Sequence, residues 1–279
     1  MKIHVYSICW NERPMIEYFL RHYAPFADRI VVYDEDSDDG TAEILAAHDR
    51  VEARRFVRSE PESLDLSKIA IFNECWKEAR GSADYVIIVD CDEHVFHPKL
   101  TEYLASQKRT GVTLIPTLGF QMVSDNFPAA IAHLATMKTI GCPSVNYSKP
   151  CVFDPSAFDA INFEVGSHRV KPQGRVAIPA SDEVMLLHYK FLGLDYVNRR
   201  YLELASRRGK INRSRTWGHH YTMMPEQIYR QFESIKAKAL DIATPEFAPS
   251  MVHHTPRWRL QQYVEPGVIG PPRSTPHFG

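Results

Sequence analysis

The stretch Asp84-Tyr85-Val86-Ile87-Ile88-Val89-Asp90-Cys91-Asp92-Glu93 decides how this chain reads. Its apolar run, dominated by β-branched residues and bounded by charge, has the form of a strand buried on both faces. Three carboxylates follow within four residues: Asp90, Asp92 and Glu93. A buried strand cannot hold them inside, so they belong at its carboxyl end, the edge where open α/β sheets bind ligands. Alternation sends Asp90 and Asp92 to one side and Cys91 to the other. Two carboxylates on one side repel unless a cation joins them, and oxygen ligands suit Mg²⁺ or Mn²⁺. The alternative is a solvated acidic turn after a core strand.

Upstream, the same form occurs twice. A β-like run over 3–9 leads into Trp10-Asn11-Glu12-Arg13-Pro14, where Asn11 is expected to cap the next helix and Pro14 to sit in its first turn. That helix, over 15–23, spaces Ile16, Phe19, Leu20 and Tyr23 along one face. A strand over 29–33 ends in Asp34-Glu35-Asp36-Ser37-Asp38-Asp39-Gly40-Thr41, a polar turn before a short helix. A third, more polar strand over 51–57 and a helix over 66–79 precede the opening stretch. Alternating strands and helices predict a parallel sheet with helices on both faces. Three polar clusters, after Ile8, Tyr33 and Val89, then share one sheet edge, which points to one site.

The second half is less regular. Strands are expected over 112–118, 149–153 and 162–170, with 119–127 a strand or loop. Val184-Met185-Leu186-Leu187-His188 repeats the apolar-then-polar form. Amphipathic helices are expected over 195–207 and 225–242, and a Pro/Gly-rich tail from residue 264. The domain reading is therefore an α/β unit over 1–194, a helical extension over 195–263 and a tail over 264–279. A net charge of -1 over 279 residues argues against a nucleic-acid partner. Five cysteines without a CxxC pair argue against a disulfide framework and fit a reducing cytosol. No apolar run nears the ~18 residues of a membrane span, and the chain begins directly in a strand pattern. The expectation is a cytoplasmic protein with no integral membrane segment.

Three motifs in order, Cys9-Trp10-Asn11-Glu12, the 32–41 turn with its D-x-x-S-x-D-G-T form, and the 73–93 helix, strand and D-x-D, resemble the GT-A-type glycosyltransferases of the family-two group. The resemblance is strong over residues 1–100, weaker over 149–207, and absent from the tail. It implies a GT-A-like (Rossmann-like) α/β fold, a mostly parallel sheet flanked by helices, here with a C-terminal helical extension. It implies transfer of a sugar with inversion from a nucleotide-sugar donor, a UDP-sugar by preference, to a hydroxyl on a glycan or similar acceptor. By the same resemblance Glu12 and Asp34 contact the nucleoside, Asp90 lies near the ribose and metal, and Asp92 ligates a divalent cation, Mn²⁺ or Mg²⁺, that bridges the phosphates. A late histidine completes the metal shell; His188 is the choice and His168 its rival. The family's later base motif is not visible. Glu164, Asp182-Glu183 and Glu93 are candidates, and Glu164 is chosen because it precedes Gly166-Ser167-His168 in a region short of charge. Arg199-Arg200 and Arg207-Arg208 could hold diphosphate or form a solvated helix face. The cluster Trp217-Gly218-His219-His220-Tyr221 reads as an acceptor surface or a packing corner. Two rivals stand beside this reading. A nucleotidyltransferase would carry a Gly-rich basic loop where Trp10-Asn11-Glu12 stands. A non-catalytic nucleotide-sugar-binding protein would keep the fold and bind no metal.

Overall fold

A computed structural model describes residues 1–244 and 247–253. The first half alternates as its pattern predicts: β1 Ile3–Cys9, α1 Arg13–Tyr23, β2 Arg29–Asp34, α2 Thr41–Ala46, β3 Val51–Arg55, α3 Leu64–Glu74 and β4 Tyr85–Ile88. The order β4-β1-β2-β3 is parallel throughout. Beyond β4 the sheet becomes mixed. β5 Glu93–Phe96, α4 Leu100–Arg109, β6 Leu114–Ser124, α5 Leu134–Met137, β7 Ile140–Pro143 and β8 Lys149–Phe153 follow. β8 lies antiparallel between β4 and β6. A small hairpin, β9 Phe158–Ala160 with β10 Gln173–Gly174, precedes β11 Met185–Leu192. β11 runs parallel to β6 and antiparallel to β5. The chain continues through α6 Leu194–Ser206, α7 Lys210–Ser214, α8 Pro225–Lys236, β12 Leu240–Asp241 and α9 Pro249–Val252.

β4 is buried on both faces, as its composition demands. Val86 and Ile88 pack with Phe72, Trp76 and Phe153, while Tyr85 and Ile87 pack with Phe19, Tyr23 and Leu104. Each such side chain contributes about 1.5–3 kcal/mol of burial, which fixes where the strand must stop and the carboxylates begin. α6 and α8 pack on the far ends of β6 and β11 through a third core of Val123, Phe191, Val197, Tyr201, Ile228 and Phe232. The expected boundary at 195 thus falls at the start of a helix that shares its core with the sheet. The tail over 264–279, and the last residues of the 195–263 extension, lie outside the described residues.

Several local expectations are corrected. Asn11 does not cap α1. It takes a positive φ of 48°, and its side chain exchanges hydrogen bonds with Asp38, donating to the carboxylate and accepting from Asp38 N. The 66–79 helix is α3, N-capped by Ser63 Oγ, followed by a 3₁₀ turn over Cys75–Ala79. The 225–242 helix ends at Lys236. Residues 162–170 form a turn closed by a single bridge, Phe163 to Val170, rather than a strand. Residues 112–127 contain one long strand, β6. Gly119 is required within it: a Cβ would sit 2.3 Å from the Tyr147 carbonyl carbon.

Candidate active site

The carboxyl ends of β1 and β4 open into a cavity of about 310 Å³. Its floor is the acidic turn after β4. Asp90 sits between two lysines. Lys68, from α3, pairs with one carboxylate oxygen, and Lys149, the first residue of β8, lies 3.4 Å from the other. Lys149 is only 3% exposed and also pairs with Glu93 at 2.5 Å. The second Glu93 oxygen accepts the Asp90 N–H at 3.0 Å. Burial would raise the Asp90 carboxyl, but Lys68 and Lys149 outweigh it and hold Asp90 below the usual carboxylate range. Both Glu93 oxygens are thus engaged, one by Lys149 and one by Asp90 N.

Asp92 faces the opposite wall. Its carboxylate meets His188 Nε2 at 3.1 Å, and its carbonyl accepts the Tyr189 N–H at 2.7 Å. His188 comes from β11, whose antiparallel register sets it against Glu93. Burial pushes the Asp92 carboxyl up, and the neighbouring imidazole more than offsets that, leaving it low. Among the described residues no three His, Cys, Asp or Glu side chains converge as a metal cage. One carboxylate and one imidazole open to a cavity do fit a Mg²⁺- or Mn²⁺-type site, which takes its remaining ligands from phosphate and water.

Of the residues expected at the nucleoside, Glu12 lines the cavity and Asp34 does not. Glu12 pairs with Arg200 of α6, whose guanidinium also donates to the Trp10 and Asn11 carbonyls at 3.1 and 3.0 Å. Burial pushes the Glu12 carboxyl up to about 7 despite that partner. Asp34 is consumed by its own turn, accepting from Ser37 N at 3.0 Å, from Ser37 Oγ, and from the Cys9 thiol at 3.2 Å. Glu35 takes its place on the cavity wall and pairs with Arg58 and Arg207. The Arg207 guanidinium lies 3.9 Å from the Trp10 ring centroid.

The far wall is aromatic and basic. Lys190 sits between Tyr201 and Tyr221, 4.7 and 4.9 Å from their ring centroids. Burial lowers it to about 8 against the pull of Asp92 and Asp90. Tyr147 lies over His188 with centroids 5.0 Å apart, and His168 meets Tyr147 edge-on at 5.8 Å. Trp217, His220 and Tyr221 complete this wall, so that cluster faces the cavity.

Glu164 is elsewhere. Its carboxylate pairs with Lys171 at 2.8 Å, and it is absent from the lining, although Val165, Gly166 and His168 are present. The turn that carries it points the backbone inward and this side chain out. Asp182 and Glu183 also lie outside the lining; Glu183 approaches His97. Sequence reasoning missed Asp65, which lines the cavity, accepts from the Asn212 amide at 2.8 Å and makes no ion pair among the described residues. Burial raises its carboxyl, with Lys68 opposing. Lys68 and Lys149 were also missed. Lys149 had a signal: a charge opening the apolar run Pro150-Cys151-Val152-Phe153, as Asp90 closes its own.

A family model described as glycosyl transferase family 2 matches residues 5–147, half of the chain. The chain belongs to that family. That membership favours the glycosyltransferase reading over a nucleotidyltransferase. Among solved structures, this family 2 transferase is similar to S. aureus TarS, at 13% identity over 84% of this chain and 43% of that one, with a TM-score of 0.39. It is similar to TarS 1–349 in complex with UDP, at 12% identity over 84% and 71%, TM-score 0.37. It is also similar to glucosyl-3-phosphoglycerate synthase from Mycobacterium tuberculosis, solved with Mn²⁺, UDP and glucosyl-3-phosphoglycerate, at 23% identity over 43% and 44%, TM-score 0.29. The chain spans under half the length of the full TarS chain and of that synthase. No curated protein matches it.

Proposed function

We propose that this family 2 glycosyltransferase is divalent-cation-dependent and inverting, moving a sugar from a nucleotide-sugar donor, with UDP-sugars the first to assay, to a hydroxyl on a glycan. The observation that carries the proposal is the Asp92–His188 pair, exposed to the cavity beside an Asp90 already neutralised by lysines. Asp92 and His188 would hold Mn²⁺ or Mg²⁺, which when bound offsets the charge of a leaving diphosphate. Lys190 is a second positive charge on the same side. Asp90, Glu12 and the Asp34 turn form the nucleoside end in this reading, with Asp34 acting through the turn it ties together. Arg200 fixes the β1–α1 loop that faces the donor.

For the base we favour Asp65 over Glu164, because a carboxyl raised by burial and free of an ion pair is suited to accept a proton. In the step, the base takes the acceptor hydroxyl proton, the oxygen bonds the anomeric carbon, and the anomeric carbon–oxygen bond to diphosphate breaks with its electron pair leaving on the phosphate. We place the reaction in the cytoplasm, which suits five free cysteines; no helix among the described residues is long and apolar enough to cross a membrane. The test is titration calorimetry of UDP against the protein with Mn²⁺ and with EDTA. Tighter binding with Mn²⁺ is expected; equal affinity would sink the cation-dependent reading.

A further inference from the structure

β6 is buried along almost its whole length, yet it carries Gln121, 2% exposed, between Phe120 and Met122. Its side-chain carbonyl oxygen, Oε1, accepts no hydrogen bond among the described residues. A buried carbonyl left without a donor costs about 1–3 kcal/mol, so packing alone gives no reason for this residue. The register supplies one. In the parallel pairing of β6 with β11, Gln121 is the partner of His188, and partners in a ladder project to the same face of the sheet. His188 has one buried nitrogen facing Asp92, and its other, Nδ1, has no hydrogen-bond partner. Tyr147 covers the pair: its ring lies over His188, and its hydroxyl lies beside the Gln121 amide.

A histidine that offers Nε2 to a cation carries its proton on Nδ1, and in a buried place that proton needs an acceptor. His188 has two cross-strand neighbours, Glu93 on β5 and Gln121 on β6. Glu93 is taken by Lys149 and by Asp90 N. Gln121 Oε1 is the acceptor left.

We propose that Gln121 is a positioning residue: its side-chain carbonyl accepts the Nδ1–H of His188 and so fixes the tautomer that turns the Nε2 lone pair toward Asp92. This rests on the cation site proposed above. Without a cation, Nε2–H donates to Asp92; with one, the proton moves to Nδ1 and Gln121 holds it.

The test is calorimetric binding of Mn²⁺ alone, without nucleotide, to the wild type and to Gln121→Met, Gln121→Glu and Asp92→Asn, each checked for folding by its thermal midpoint. Gln121→Met should weaken Mn²⁺ binding by about 10–100-fold, the usual cost of losing a partner behind a ligating histidine. Gln121→Glu, which restores an acceptor, should return affinity to within a few-fold of wild type, an outcome a merely structural role would not give. Wild-type affinity in Gln121→Met, with Asp92→Asn weakened, overturns this inference and leaves the cation site standing. Wild-type affinity in Asp92→Asn as well overturns both. Where Gln121→Met fails to fold, ¹⁵N NMR of the wild type with diamagnetic Zn²⁺ decides: a sheltered, slowly exchanging His188 Nδ1–H is expected, and a rapidly exchanging one refutes the hydrogen bond.

Discussion

Replacing Lys149 by Met should cost stability out of proportion to its size. Lys149 and Glu93 are each 3% exposed and 2.5 Å apart, and Lys149 also serves Asp90 at 3.4 Å. Methionine fills nearly the same volume, so the effect is electrostatic: Glu93 is left buried with only the Asp90 N–H, while Asp90 keeps Lys68. Removing one partner of a buried pair costs about 3–5 kcal/mol. For a chain of this size each kcal/mol moves the thermal midpoint by about 2–4 °C, so the midpoint should fall by roughly 6–20 °C. The sign with pH follows from both partners. Lys149 is raised by Glu93 and Asp90 against burial, so its contribution is full below its unfolded value of ~10.4 and is lost as pH rises through the higher folded value. Asp90 is lowered, so its contribution is full above ~3.9 and is lost as pH falls through the lower folded value. The measurement is thermal unfolding by circular dichroism near pH 7, with the double variant Glu93→Gln, Lys149→Met as control. The double variant, which removes the stranded charge, should recover a large part of the loss. A shift under about 2 °C, or no recovery in the double variant, refutes the reasoning.

Three further outcomes are expected. Asp92→Asn should lower cation-dependent transfer by ~10²-fold or more while the thermal midpoint barely moves; near wild-type turnover would remove Asp92 from the site. Asp65→Asn should lower kcat by about 10²–10⁴-fold, whereas Glu164→Gln, facing Lys171, should change it by no more than a few-fold; the reverse order in a steady-state assay would restore Glu164 as the base. Arg200→Met strands Glu12, so the melting temperature and the affinity for UDP should both drop, and a change in neither would mean that the β1–α1 loop is held by other contacts.

The opening stretch was legible because a run such as Tyr85–Val89 has one stable place, between two apolar layers, and its carboxylates one exit. The parallel half of the sheet followed from three repeats of that form. What was not legible were contacts between residues far apart in sequence. Lys68 and Lys149 meet Asp90 from positions 22 and 59 residues away, and no local pattern encodes such a meeting. Asn11 shows the limit of local rules: its side chain is a good cap by propensity, yet Asp38, 27 residues on, offers two hydrogen bonds and wins. Glu164 was chosen for its neighbours in sequence, and those neighbours do reach the cavity. A turn with positive φ at Gly166 and Ser167 decides which side chains follow them.

The Arg200 bridge to Trp10, Asn11 and Glu12 has a consequence for the order in which the protein comes into being. Synthesis runs from the amino-terminal end, so β1, β2 and β4 are made early. The wall bearing Arg200, Tyr201 and Tyr221 is made some 110 to 130 residues after β4, so the acidic turn exists in the nascent chain well before half of its cavity does. On the proposed reading, the donor site is complete only when translation is well advanced.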